Sequence, residues 1–262
     1  MDKSHLIALM QAFFVTFLWS SSYILVKIGL TQLSPLILAS LRYIIASVIL
    51  ILLAFLRGEI NLIKNKKTFL KFFFLGFLGY TIAQGLQSVG LFYLPAVSVT
   101  FILNFTPLIV LVLGAMLLQE YPTFFQLMGM MIVVVGAFLF FNDPLINSSL
   151  VGVLITLLSG LGWAAYLVLS RLLFIKEKAK PLELTAFPMG FGTLLMVLGT
   201  FSFEEFEVVS PLGWGIILWL GVINTALAFY LWNNALQKLE AFEISIIQNT
   251  MLPRSRFYHI FF

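Results

Sequence analysis

The residues of this chain that could do chemistry are few, and most lie inside or at the ends of long apolar runs. Arg42 sits about seven residues into the run 34–56, roughly 10 Å along a helix at 1.5 Å per residue. An ionisable side chain at that depth is costly in lipid and marks a site or a pathway. Its guanidinium could hold a carboxylate or phosphate of a ligand. Alternatively it serves structure alone, binding backbone carbonyls or snorkelling to the near interface. Lys27 ends the first run, where it either snorkels or lines a vestibule. Glu120 closes the run 95–118. A carboxylate at a helix carboxyl terminus opposes the helix dipole, so Glu120 calls for a cationic partner unless water solvates it. A partnered Glu120 could help a gate to close.

The uncharged polar groups offer a second set. Gln84, Gln87, Asn104, Asn224, Asn233, Asn234, Gln248 and Asn249 stand within apolar stretches. Each could hydrogen-bond a ligand, or tie helices together at about 0.6–2 kcal/mol. Trp19 and Tyr23, one helical turn apart, could form an aromatic wall for an apolar or cationic ligand, or simply pack. Pro107 lacks an N–H and frees a carbonyl near Leu103. A hinge, a binding carbonyl and a static kink are equally open there. His5 and His259 lie at opposite ends and there is no Cys, so metal-ligand spacing and thiolate chemistry are not expected. No glycine-rich nucleotide loop appears. We expect no catalytic residue, cofactor or metal, and no enzyme.

These groups must be positioned by helices in lipid. Of the 262 residues 61% are hydrophobic and 10% charged, against about 25% charged in a soluble domain. Eight spans stand out, roughly 6–28, 34–56, 69–91, 95–118, 123–141, 149–172, 183–202 and 212–236, with a ninth starting near Ala241 and cut by Pro253. Runs near 20 residues without strict alternation predict helices rather than barrel strands. The first run is too long for a signal-peptide core and reads as a retained span. Arg57, Lys64, Lys66, Lys67 and Lys71 fall on the same side as Arg171, Lys176, Lys178 and Lys180, while Glu204, Glu205 and Glu207 fall on the other. The positive-inside rule then puts the amino terminus in the cytoplasm. The net charge of +4 lies in these loops, which argues for orientation and against a nucleic-acid partner. Asn147-Ser148-Ser149 is a formal glycosylation sequon of little weight.

The chain also repeats itself. With a shift of 145, Leu75–Asn104 lies over Leu220–Asn249 with nine identities in thirty pairs, among them Gly76/Gly221, Ala96/Ala241 and Asn104/Asn249. Trp19/Trp163 and Lys27/Arg171 agree at a shift of 144. The copies lie five spans apart, and an odd spacing inverts the second copy in the membrane. Inverted repeats are a signature of transporter folds, with the site near mid-membrane between the halves. The expected fold class is thus all-α integral membrane, with halves at 1–141 and 149–262. By this register the second half should run to about 286. The tail 253–262, with Arg254 and Arg256, matches nothing in its counterpart, and is expected to be aberrant.

The chain resembles the EamA-type families of the drug/metabolite transporter superfamily. The resemblance rests on Leu18-Trp19 with following small polar residues and Lys27, on Pro35 and Leu41-Arg42-Tyr43, on Leu118-Gln119-Glu120, and on Gln126, Gly129 and Gly136 in order. Gln119 stands where the family usually has Gly. The resemblance implies ten helices in two inverted five-helix repeats, of which eight to nine are present here, around a central cavity. It implies an exporter of small metabolites, amino acids or drug-like compounds, working by alternating access in the cytoplasmic membrane. The partners would be the bilayer, a small-molecule substrate and, as a homodimer, a second copy. Proton or exchange coupling is typical of such carriers, yet no carboxylate lies deep in a span, so exchange or facilitated transport stays open. The competing reading is an inactive truncated remnant or a non-transporting membrane protein. Gly129 and Gly136, seven apart on one helical face, are expected at a close helix contact.

Overall fold

The computed structural model describes residues 2–141, 149–205 and 208–251. The expected aberrant tail, His259 and the first two sequon residues lie outside them. Among the described residues the regular elements are all helices, without strands. In our numbering, α1 is Lys3–Gly29, α2 Pro35–Leu56, α3 Lys66–Tyr93, α4 Ala96–Leu117, α5 Phe124–Phe141, α6 Leu150–Glu177, α7 Pro181–Phe203, α8 Pro211–Leu236 and α9 Ala241–Gln248. α1 to α4 and α6 to α8 are long and apolar enough to cross a bilayer. Prolines open α2, α7 and α8 in the first turn, where the missing N–H costs nothing. Phe13, Phe14 and Phe17 on α1 and Leu52 and Phe55 on α2 are among many large apolar side chains left exposed to the surroundings. A protein in water would bury them; a lipid-facing surface does not need to.

Cross-links define the two ends of the bundle. At one, Glu183 of α7 accepts from the backbone N–H groups of Leu62 and Ile63, Lys71 pairs with Glu177, and His5 lies 3.0 Å from Glu243. This is the basic end. At the other, Glu204 accepts from Leu36 and Ile37 N–H and so caps the start of α2, and Ser210 donates to Gln32.

Helix pairing between the two halves comes in matched sets. α3 packs on α6 as α8 packs on α1, α2 packs along α8 as α7 packs along α3, and α2 lies against α7. α3 widens into π turns over Phe77–Gly85, and α8 does so over Leu220–Leu227, nearly the same place in the 145-residue register. Such widened turns recur at functional sites.

Glycines allow the closest crossings. A Cβ on Gly76 would stand 2.3 Å from the Pro188 carbonyl oxygen of α7, and one on its repeat mate Gly221 3.0 Å from the Arg42 carbonyl of α2. The expected contact at Gly129 and Gly136 is corrected: no atom of the described residues lies within 4 Å of a Cβ built there. Two substitutions should therefore act with opposite sign. Gly76→Ala forces backbone apart and should cost about 1–3 kcal/mol. Gly129→Ala should gain roughly 0.5–1 kcal/mol from helix propensity. Melting temperatures in one detergent check both.

α4 is broken at Asn104–Phe105, with Pro107 at the second position of its second segment. Beyond α4, Gln119 takes φ +57°, a left-handed conformation that suits glycine. The family's usual Gly at this position thus has a backbone reason.

Candidate functional site

One face of α1 carries Trp19, Ser22, Tyr23 and Val26, and one face of α3 carries Gln84, Gln87, Ser88 and Leu91. Both sets follow the i, i+3, i+4, i+7 spacing of a helical stripe. They close a cavity together with Arg42, Leu103, Ser159, Trp163, Gln248 and Met251. About 600 Å³ is free of atoms when the open mouth is counted, and about 40 Å³ of it is room for the centre of a water-sized sphere. The lining lies in the half of the bundle farther from the basic end.

Arg42 is buried, with 7% of its surface exposed. One guanidinium nitrogen donates to the Tyr43 hydroxyl at 3.1 Å, and the cation stands 4.8 Å from the centre of that ring. Its Nε has no hydrogen-bond partner among the described residues. The Tyr43 hydroxyl in turn donates to Gln84 Oε1 at 3.0 Å. Gln87 donates to the Tyr23 hydroxyl at 2.6 Å, and the Trp163 indole N–H donates to Gln248 Oε1 at 2.6 Å.

Toward the basic end the cavity is shut by aromatic rings. The Trp19 centroid lies 4.7 Å from Trp232 and 5.8 Å from Trp163. Trp163 stacks on Tyr166 at 5.1 Å, and Phe229 fills in against Tyr80 at 5.3 Å. Hydroxyls within this layer are satisfied locally. Tyr80 and Tyr166 share a hydrogen bond of 3.0 Å, and Asn233 donates to Tyr166 and Thr185 at 2.7 and 3.0 Å.

Beyond the rings is a polar clamp. Arg171 Nε meets Glu120 Oε1 at 2.9 Å, and its Nη1 donates to the carbonyls of Leu236 and Gln237 at the end of α8. The other carboxylate oxygen of Glu120 accepts from Ala241 N–H at 3.0 Å, at the start of α9. Each charge therefore sits at the helix end whose dipole it complements. Lys27, the repeat mate of Arg171, donates to the carbonyls of Leu91 and Leu94 at the end of α3. The pair Leu91/Leu236 is itself a repeat pair, so one interaction occurs twice.

The candidates from sequence thus divide. Trp19, Tyr23, Arg42, Gln84 and Gln87 line one cavity. Asn104, Asn224 and Asn249 do not reach it. The Asn224 side-chain amide donates to the Leu18 carbonyl and to Ser21, while the Asn224 backbone carbonyl accepts from the Trp19 indole. The Asn249 amide donates to the Asn104 carbonyl at 3.1 Å. The break before Pro107 thus leaves the Asn104 oxygen, rather than Leu103, joined to the other half. Lys27 and Glu120 hold helix ends. Sequence reasoning passed over Ser159, Tyr43, Tyr80 and Tyr166. Trp163 and Arg171 were visible as repeat mates of Trp19 and Lys27, but their roles were not.

Glu240 joins the clamp region. Burial first, then the neighbouring Glu120 and Glu243 carboxylates, push its carboxyl above the usual range. A raised folded-state pKa means that ionisation costs the fold stability at neutral pH, and that the cost fades as pH falls through the raised value. Glu240→Gln should therefore raise the melting temperature at pH 7, with the gain shrinking toward pH 4. A gain that grows on acidification would contradict this placement.

The EamA-like transporter family model matches residues 6–142 and again 150–252. An uncharacterized transporter of Bacillus subtilis, YoaV, is 25% identical over 240 residues, covering 88% of this chain and 80% of that protein. An uncharacterized transporter of Archaeoglobus fulgidus is 26% identical over 239 residues, covering 88% of this chain and 81% of the other. A solved crystal structure shares the fold at TM-score 0.79 and 17% identity, over 97% of this chain and 87% of its own. With two matches that span nearly the whole chain, a helical body faced with apolar side chains and a buried polar cavity, this protein belongs to the EamA-like transporter family and is a multi-pass membrane transporter.

Proposed function

We propose that the cavity is the substrate site of a secondary carrier, and that two halves of opposite orientation rock around it to expose it to each side in turn. The observation that carries this reading is the asymmetry of closure. The cavity lies in one half of the bundle, and both the aromatic layer and the Glu120–Arg171 clamp lie toward the other end. A carrier held between its two open states needs such a barrier on one side. The matched pairs Lys27/Arg171, Gly76/Gly221 and the two π segments support the halves, as does the double family match. With the basic end in the cytoplasm of the cytoplasmic membrane, the cavity belongs to an outward-facing state, and the reading from the family's pattern is export of a small metabolite.

Two measurements test this. Reporter fusions should place Lys66 and Lys178 on the same, cytoplasmic face; opposite faces would end the inverted arrangement. A growth screen against amino acids and toxic metabolites, followed by counterflow in proteoliposomes, should find compounds whose flux depends on the protein. Flux indifferent to Trp163→Ala and Gln87→Ala would remove the cavity from the pathway.

A further inference from the structure

We propose that the cavity takes a small organic monoanion, a carboxylate on an apolar or aromatic body, with the carboxylate on Arg42 and the body against the tryptophans. This rests on the reading of the cavity as the transport site and names the class of its substrate. Among the described residues that line the cavity Arg42 alone is charged. It is more than nine-tenths buried, its Nε is unpartnered, and no carboxylate of the described residues approaches it within ion-pair distance. A guanidinium offers five N–H donors in a planar fork, and the bond to Tyr43 occupies one. A buried cation without a counter-ion is costly, and a carboxylate meeting the fork in two parallel bonds supplies charge and acceptors together.

The charge count narrows the ligand. A phosphate monoester carries about −1.5 to −2 near neutral pH, and among the described residues no lysine or histidine lines the cavity to match the excess. An ammonium group would meet a like charge in Arg42. Of the three lining amide oxygens, Gln84 Oε1 is engaged by the Tyr43 hydroxyl and Gln248 Oε1 by the Trp163 indole, which leaves Gln87 Oε1, a neutral acceptor that carries no counter-charge. An amino-acid zwitterion would therefore satisfy Arg42 but leave its ammonium without a counter-charge. Trp19 and Trp163, with Leu91 and Leu103, supply apolar walls for the remainder of the molecule.

Calorimetric titration of the whole protein in lipid nanodiscs, with four probes of one size, tests the assignment. The probes are phenylacetate, phenylacetamide, 2-phenylethylammonium and phenyl phosphate. Phenylacetate should bind at least about tenfold more tightly than each of the others, a difference of about 1.4 kcal/mol. Arg42→Gln should bring its preference over the amide below about twofold, and Arg42→Lys should keep part of it, as a point charge without the fork does. The wild-type ranking stands as a test even if Arg42→Gln does not fold. Equal or tighter binding of the amide, the cation or the phosphate overturns the proposal, as does an anion preference that survives Arg42→Gln, or no binding of any probe. If the ranking fails while Trp163→Phe still weakens the probes that bind, the charge assignment falls and the cavity remains the site. Probe binding indifferent to both Arg42→Gln and Trp163→Phe would take the cavity reading down as well.

Discussion

Arg171→Gln should open the basic end of the bundle and lower transport by well over tenfold. Arg171 and Glu120 are only 15% and 12% exposed at their side chains, and each also completes a helix end, Leu236 and Gln237 carbonyls on one side and Ala241 N–H on the other. Removing one partner strands the other charge and uncaps a helix. For buried pairs that loss is about 3–5 kcal/mol, and the residual exposure argues for the lower figure. A shift of about 3 kcal/mol between closed and open forms changes their ratio by roughly a hundredfold. The chain has no cysteine, so a single reporter thiol can be placed cleanly. Ser245, 1% exposed on α9, is one turn beyond Ala241. Ser245→Cys should resist a water-soluble maleimide in the parent and react in the Arg171→Gln background. Exchanging the charges, Glu120→Arg with Arg171→Glu, should not restore closure, because each charge would then face the wrong helix end. Rescue by the exchange would mean that the ion pair alone matters.

Trp232→Ala should both destabilise the protein and breach the aromatic layer. Trp232 is fully buried and packs 4.7 Å from Trp19. Truncating a buried tryptophan costs about 3–5 kcal/mol, which corresponds to a fall in melting temperature of roughly 10 °C for a chain of this size. The hole joins the cavity to the space behind the clamp, so vesicles carrying the variant should leak small solutes down their gradients. The indole N–H of Trp232 has no hydrogen-bond partner among the described residues, so Trp232→Phe should lose packing alone and stay tight. A variant with alanine that seals as well as the parent would mean that the clamp, rather than the rings, makes the barrier.

Much of the architecture was legible because lipid leaves the sequence little choice. Apolar runs bounded by charge or proline located α1 to α4 and α6 to α8 within a few residues. The depth of Arg42 within α2, and the turn spacing of Trp19 and Tyr23, likewise pointed into the cavity. What stayed hidden depends on neighbours distant in sequence. Asn224 and Gln87 look alike as amides in apolar runs, yet one is spent on the Leu18 carbonyl and the other faces open space. Gly129 and Gly136 have the spacing of a tight crossing without a partner within reach among the described residues, whereas Gly76 and Gly192, unremarkable in spacing, press α3 against α7. The clamp was half visible: the dipole argument asked for a cation beside Glu120, but no local pattern named Arg171, fifty-one residues away.

The aromatic layer gives the protein an internal optical signal. Trp19, Trp163 and Trp232 lie within 4.7–6.4 Å of one another, close enough for their excited states to mix. Trp214 and Trp219 stand apart on the outer surface, 44% and 55% exposed. Separation of the central trio as the barrier parts should shift its emission and its near-ultraviolet dichroism together, while the two outer indoles stay constant. Opening and closing could thus be followed in the unlabelled protein.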